Sequence, residues 1–220
     1  MDQQKAMQRT LKYWALKDEV FGPDRAYHKA MTLDDFDDND MMTARSQGFW
    51  VGQHRDHAGR AIAFSRKPHW KYKHRNNLLR WIWYVLEQAL KDPKVQRNGM
   101  VLMAIDDGPF TLQQFDRKLE SRFYHLLGEC LPLRWTAIHH FYDSKVHSYV
   151  NPFILFMMGP KMRARYRVYH GAKRHTRLAA LEELGLTKEI LPPVLGGKDD
   201  TLNWIEEERR QNDKDRKAAQ

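Results

Sequence analysis

Cysteine is nearly missing from this chain of 220 residues, in which Cys130 stands alone. An internal disulfide framework is excluded, and the composition fits a reducing, cytoplasmic compartment. Long hydrophobic runs are missing as well. Apolar stretches such as Trp81 to Leu86 fall far short of the roughly 20 residues that cross a bilayer, so any membrane contact is expected to be peripheral. Met1 to Thr10 is polar and charged and lacks the apolar centre of a secretory signal. No internal repeat is visible. What is present is 42% hydrophobic residues, and a chain of this size buries roughly 70% of its unfolded surface, enough for one main domain with an appended segment.

Acidic residues are also missing, but only locally. From His57 to Leu86 there are none, against seven bases: Arg60, Arg66, Lys67, Lys71, Lys73, Arg75 and Arg80. From Lys161 to Arg177 there are again none, against Lys161, Arg163, Arg165, Arg167, Lys173, Arg174 and Arg177. With a formal charge of +9 overall, the rest of the chain sums to −5. Charge concentrated in two blocks inside a folded region predicts a focused anion site, whereas a general nucleic-acid polycation spreads its bases along helices or tails. Nucleic-acid binding would also need stacking aromatics on the same face, and Tyr166 and Tyr169 fall in a strand expected to be buried. No nucleic-acid partner is expected. The bland reading is two solvated surfaces without a ligand.

Patterning predicts an α/β chain. Gln4 to Val20 places Met7, Leu11, Trp14, Ala15 and Leu16 on one helical stripe, ended by Gly22-Pro23-Asp24. The Asp-rich stretch 34–40 lacks the alternating ligands, glycine and final glutamate of an EF-hand, and reads as turns and caps leading into Met41 to Phe49. Arg60 to Arg66 reads as a strand and Asn76 to Leu90 as a helix stopped by Asp92-Pro93. Gly99 to Ile105 is the continuous apolar run of a strand covered on both faces. Phe115 to Leu127 (helix), Arg134 to Tyr142 (strand), Val146 to Met158 (helix), Arg165 to His170 (strand) and Thr176 to Leu184 (helix) follow. The alternation implies a mostly parallel central sheet with crossover helices. The tail from Lys198 is expected to be helical near Leu202, Trp204 and Ile205 and to fray after Arg210.

Several segments imitate chemistry. His54-Arg55-Asp56 has the order of a kinase catalytic loop without its glycine-rich loop or its asparagine, and reads as a turn. His139 and His140 alternate to opposite faces of a strand and cannot share a metal, and the nearest carboxylate in sequence is Asp143. Asp106-Asp107 ends a strand, the place where α/β folds gather ligands, but no partner base can be assigned to it, so a turn is favoured. Gly196-Gly197 lacks a lysine at Walker spacing, and Cys130 has no activating neighbour. No catalytic residue, cofactor or metal is expected, and the chain is not expected to be an enzyme.

The ordered set of motifs is more specific than any one of them. Asp56-His57-Ala58-Gly59-Arg60-Ala61-Ile62 comes first, then Gly99 to Asp106 and Leu131-Pro132-Leu133-Arg134. Arg165 to Gly171 and Ile190-Leu191-Pro192-Pro193-Val194-Leu195-Gly196-Gly197 complete the set. Together they resemble the CRAL-TRIO lipid-binding domain, the family of the tocopherol-transfer, retinaldehyde-binding and secretory phosphatidylinositol-transfer proteins. The resemblance covers 48–197, with 1–47 as a shortened N-terminal helical segment and 198–220 as a charged tail. Three positions depart from the family's pattern: Val194 stands where an acid is usual, Asp143-Ser144 where a polar-proline step is usual, and Lys173 and Arg174 where several relatives are neutral or acidic.

The resemblance implies a lipid ligand, phosphatidylinositol-type or another hydrophobic molecule, enclosed between the sheet and an amphipathic gate helix that swings aside at an anionic membrane. The matching gate is 151–162, with Phe153, Ile154, Phe156, Met157 and Met158 as its apolar residues and Gly159-Pro160 as hinge or stop. Ordinary core packing is the competing reading of these five. Lys161, Arg163, Arg165, Arg167, Lys173 and Arg174 would meet an anionic headgroup or leaflet. The chain is expected to act as a monomer. The alternative is an adaptor of the same fold with a reduced pocket, binding proteins or anionic lipids.

Overall fold

The computed structural model describes residues 3–27, 31–106, 110–170 and 179–198. Five strands form one sheet in the order β1 (Phe49–Arg55), β2 (Ala61–Ser65), β3 (Met100–Asp106), β4 (Trp135–Tyr142), β5 (Tyr166–His170). β1 and β2 are antiparallel, and the other three pairs are parallel. Because the strand order follows the chain, each parallel connection steps the same way, and right-handed crossovers then place their helices on one face. These helices are α4 (Arg75–Leu90) with the short α5 (Pro93–Asn98), α6 (Arg117–His125), and α7 (Lys145–Arg163). Before the sheet come α1 (Gln3–Phe21), α2 (Pro23–Ala26) and α3 (Asp38–Arg45).

Each side of the sheet has its own core. On the helix face Ala61, Ala63, Met100, Leu102 and Ile138 pack with Leu79, Ile82, Leu86, Phe123 and Ile154. On the opposite face Ile62, Phe64, Val101, Met103, Ile105 and Phe141 pack with Leu181, Leu186, Leu191 and Leu195 of 179–198. The segment after β5 therefore covers the face that the one-sided crossovers leave bare. β3 is buried along its whole length, as its unbroken apolar run requires.

The Asp-rich stretch bears out the cap reading. Asp37 accepts from the Asp40 backbone N–H at 2.9 Å and caps α3. Asp40 is then buried, where it accepts from Asn77 at 2.7 Å and from three Arg80 contacts at 2.7–3.0 Å, joining α3 to α4. Three sequence expectations need correction. Phe49–Arg55, not assigned to any strand, is β1, so His54 and Arg55 end a strand and only Asp56 opens the turn. The helix expected to run to Leu127 stops at His125 and continues as a π-helical turn, Leu126–Cys130, which bulges the chain and buries Leu126, Leu127 and Cys130. The gate helix continues past Met158, through a non-helical Gly159, to Arg163. The expected helix 176–184 lies only partly, and the helix near 202–205 not at all, within the described residues.

Candidate functional site

α7 is built to show two faces. Ser144 caps it by accepting from the Val146 N–H at 3.2 Å. Val150, Ile154, Met158 and Met162 recur every fourth residue and are buried against the helix-face core. Tyr149, Phe153 and Phe156 occupy the other side with exposures of 73%, 53% and 79%. The gate residues therefore divide: Ile154 and Met158 are core, Met157 is half-buried against it, and Phe153 and Phe156 are exposed aromatics. Core packing explains the first two and cannot explain the last two. Tyr149 completes the exposed stripe and was missed in the sequence, although its spacing from Phe153 and Phe156 on a helical period carries the signal.

Gly159 breaks the helix with φ 70 and ψ 169, in the region that favours glycine, and Pro160 follows it. Beside this kink lies a groove of about 1220 Å³ between α1, the end of α4, the π-helical turn and Met158 to Met162. Its walls include Tyr13, Leu90, Leu131 and Pro132, with Arg9, Lys12 and Lys161 at its margins. Arg9 donates to the Gly128 carbonyl at 3.1 Å, and Lys12 pairs with Glu129, so α1 is tied to the turn that walls the groove. The groove meets the expected gate stretch at its Met158–Met162 end, while Val150 and Ile154 pack on the helix-face core.

The inner surface of α7 is also less apolar than expected. Asp106 ends β3, His140 lies on β4 and His147 on the first turns of α7, and all three are fully buried. His140 Nε2 is 2.7 Å and His147 Nε2 2.8 Å from the same Asp106 Oδ2. Lys67 and Glu120, also buried, pair at 2.8 Å close by. Burial alone would raise the Asp106 carboxyl, but His140, His147 and Lys67 hold it far below the ordinary carboxylate range. Burial pushes the His140 imidazole down despite Asp106. Asp106 thus gains the partner bases that its sequence did not reveal, while the turn expected after it lies outside the described residues. The expectation that His139 and His140 serve opposite faces holds: His139 lies on the other side of the sheet, 2.9 Å from Tyr169 Oη, and burial pushes it down to about 4.

At the end of α7 and on into β5, Lys161, Arg163, Arg165 and Arg167 are all exposed, and none forms an ion pair among the described residues. Arg165 donates to the Lys161 carbonyl at 2.7 Å. Lys173 and Arg174 lie outside the described residues. The aromatic stripe and these four bases lie along one stretch of chain, with Lys161 at the groove beside the kink and Arg167 hydrogen-bonded to Tyr169. No described helix is long and apolar enough to cross a membrane.

Comparison with known proteins bears on this arrangement. The family model described as CRAL/TRIO domain matches residues 45–197. The chain belongs to the CRAL/TRIO domain family. Clavesin-1 of Rattus norvegicus is 29% identical over 187 residues, covering 77% of this chain and 49% of that protein. Clavesin-2 of Homo sapiens is 31% identical over 153 residues, covering 64% of this chain and 43% of that protein. The chain thus spans about half the length of the curated relatives it matches. The crystal structure of Sfh5 superimposes with a TM-score of 0.55 at 13% identity, over 88% of this chain and 65% of that one, a likeness of fold. Family membership accounts for the five-stranded, mostly parallel sheet with its flanking helices.

Proposed function

We propose that this CRAL/TRIO domain binds a lipid, phosphatidylinositol-type or another hydrophobic molecule, and exchanges it as a monomer at an anionic membrane surface, without catalysis. The observation that carries the reading is the exposed stripe Tyr149, Phe153 and Phe156 on α7, followed in the chain by four exposed bases, Lys161, Arg163, Arg165 and Arg167, that form no ion pair among the described residues. Aromatic rings left in water gain from insertion at the acyl boundary, and each nearby base contributes on the order of 1 kcal/mol at an anionic leaflet. The 1220 Å³ groove exceeds the roughly 300–1,000 Å³ typical of small-ligand sites, and the Gly159 kink beside it offers a pivot. Swinging α7 about that pivot would extend the groove toward the sheet.

The adaptor reading has one observation in its favour, the direct packing of Val150, Ile154 and Met158 on the core. Lipid extraction of the purified protein followed by mass spectrometry separates the two: a retained lipid at near one per chain supports cargo binding, and none supports the adaptor. Phe156→Asp then tests α7 as the moving element. Because Phe156 is exposed, stability should change by no more than about 0.5 kcal/mol, while transfer of a fluorescent lipid between vesicles falls sharply. An unchanged transfer rate in the folded variant would show that this helix is not the gate.

A further inference from the structure

We propose that Asp106, His140 and His147 form a binding site for a divalent first-row transition cation, for which zinc is a suitable probe. One ligand atom from each of the three lies within 4.8 Å of the others, in a buried setting. Two imidazoles and one carboxylate are donors that suit zinc or ferrous iron, and three protein ligands leave a position open for a water or a small molecule.

The unpartnered buried donors of the cluster carry the argument. His140 Nδ1 is hydrogen-bonded to Tyr166 Oη, which also bonds Asn151 Oδ1 at 2.6 Å, and His140 Nε2 faces Asp106 Oδ2 at 2.7 Å. His147 brings a second imidazole to the same carboxylate oxygen. Its Nε2 is near Asp106 but out of line for a hydrogen bond, and among the described residues neither its ring nitrogens nor Asp106 Oδ1 has a hydrogen-bond partner.

The surroundings hold these donors in place. The His147 ring lies between Phe110 and Tyr142, with ring centroids at 4.4 and 5.1 Å, and His140 is oriented through Tyr166 and Asn151. Metal-bound histidines are ordinarily fixed in this way through their second nitrogen. Lys67, the nearest positive group to oppose a cation, is paired with Glu120. At metal–ligand bonds of about 2.0–2.1 Å in tetrahedral array, donor atoms stand about 3.3 Å apart, so loading would lengthen the two Asp106–histidine contacts, now 2.7 and 2.8 Å, by about half an ångström. A bound cation would join β3, β4 and the first turns of α7. The N-terminal half of the helix would then be anchored to the sheet, which would oppose its swing about Gly159.

The test uses the full chain, stripped with a chelator, desalted and reloaded with Zn²⁺ or Co²⁺ alone. The expected result is one equivalent retained per chain by elemental analysis, a rise in the thermal midpoint, and visible Co²⁺ absorption of a four- or five-coordinate site. His147→Gln should abolish stoichiometric retention. Tyr166→Phe should weaken it by about 10- to 100-fold, as loss of an orienting partner does elsewhere. His139→Gln, on the opposite face, should leave it unchanged. If Asp106→Asn fails to fold, the Co²⁺ spectrum of the wild type and the His147→Gln comparison still decide. No retained metal and an unmoved midpoint in the wild type would overturn the site, and an imidazolium His140 seen by NMR would then show that a proton fills the role.

Discussion

Residues 57–86 and 161–177 each carry seven bases and no acid, and a reader of the sequence has no ground for treating them differently. Folding separates them. In the first, Arg60 is held by Asp56 at 2.6 Å, Lys67 by Glu120 at 2.8 Å, Arg75 by Asp116 at 2.7 Å and Arg80 by Asp40 at 2.7 Å. Most of these carboxylates come from α3 and from the start of α6, which pack around α4. In the second, Lys161 and Arg163 close α7, Arg165 follows it and Arg167 lies in β5, an edge strand, and none of the four has an ion-pair partner among the described residues. A run of like charge in sequence thus says little about a surface field until the partners from other elements are placed. The first block is largely internal wiring, and the described bases of the second are not. Protection of an exposed sheet edge is a competing use of Arg167, and it predicts no preference between lipids.

The largest effect expected from this difference is on stability. Lys67→Met leaves Glu120 buried without its partner and should cost about 3–5 kcal/mol in denaturant unfolding, whereas Lys67→Met with Glu120→Leu should recover much of it. Vesicle binding per folded molecule should be unchanged in both. If Lys67→Met costs little, the first block is not the internal set described above.

Next in size is an effect on binding alone. Replacing Arg163, Arg165 and Arg167 together with Gln should lower affinity for anionic vesicles by about 3 kcal/mol, on the order of a hundredfold, with stability held within about 0.5 kcal/mol. Neutral vesicles should show no change, and raised salt should shrink the difference. Equal loss on both kinds of vesicle would mean that the fold had been damaged.

The smallest effect belongs to Arg75, exposed and paired with Asp116 at the surface. Partial burial would raise the Asp116 carboxyl, but Arg75 and the Leu119 backbone N–H hold it below its ordinary 3.8. The unfolded chain then takes up this proton first as the pH falls. The contribution is present above the ordinary value and is lost as the pH drops through the lower, folded one. Arg75→Gln should therefore lower the thermal midpoint slightly at neutral pH, and the gap from wild type should close in acid. A gap that persists at low pH would assign the effect to packing.

Much of the scaffold was legible because local pattern and tertiary burial agree. β3 reads as a strand covered on both faces, α4 carries its apolar residues at helical spacing, and the ordered motifs from Asp56 to Gly197 resemble the family to which the chain belongs. β1 was not legible because Gly52, Gln53 and His54 interrupt its apolar alternation at the edge of the sheet. The π-helical turn was missed because its residues are as apolar as those of the helix it extends. The gate stretch was found as an apolar helix, yet which of its residues face water depends on what α7 packs against.

Sequence by itself determined four of the five strands, the longer helices, the resemblance to the family and the concentration of charge, since each is written in residues close along the chain. Tertiary structure alone decided which bases are neutralised, where the groove opens, and that Asp106, His140 and His147 meet. Those outcomes depend on the register of β3 with β4 and on the docking of α7 across them. Burial, hydrogen bonding and charge pairing there join residues that no local pattern connects.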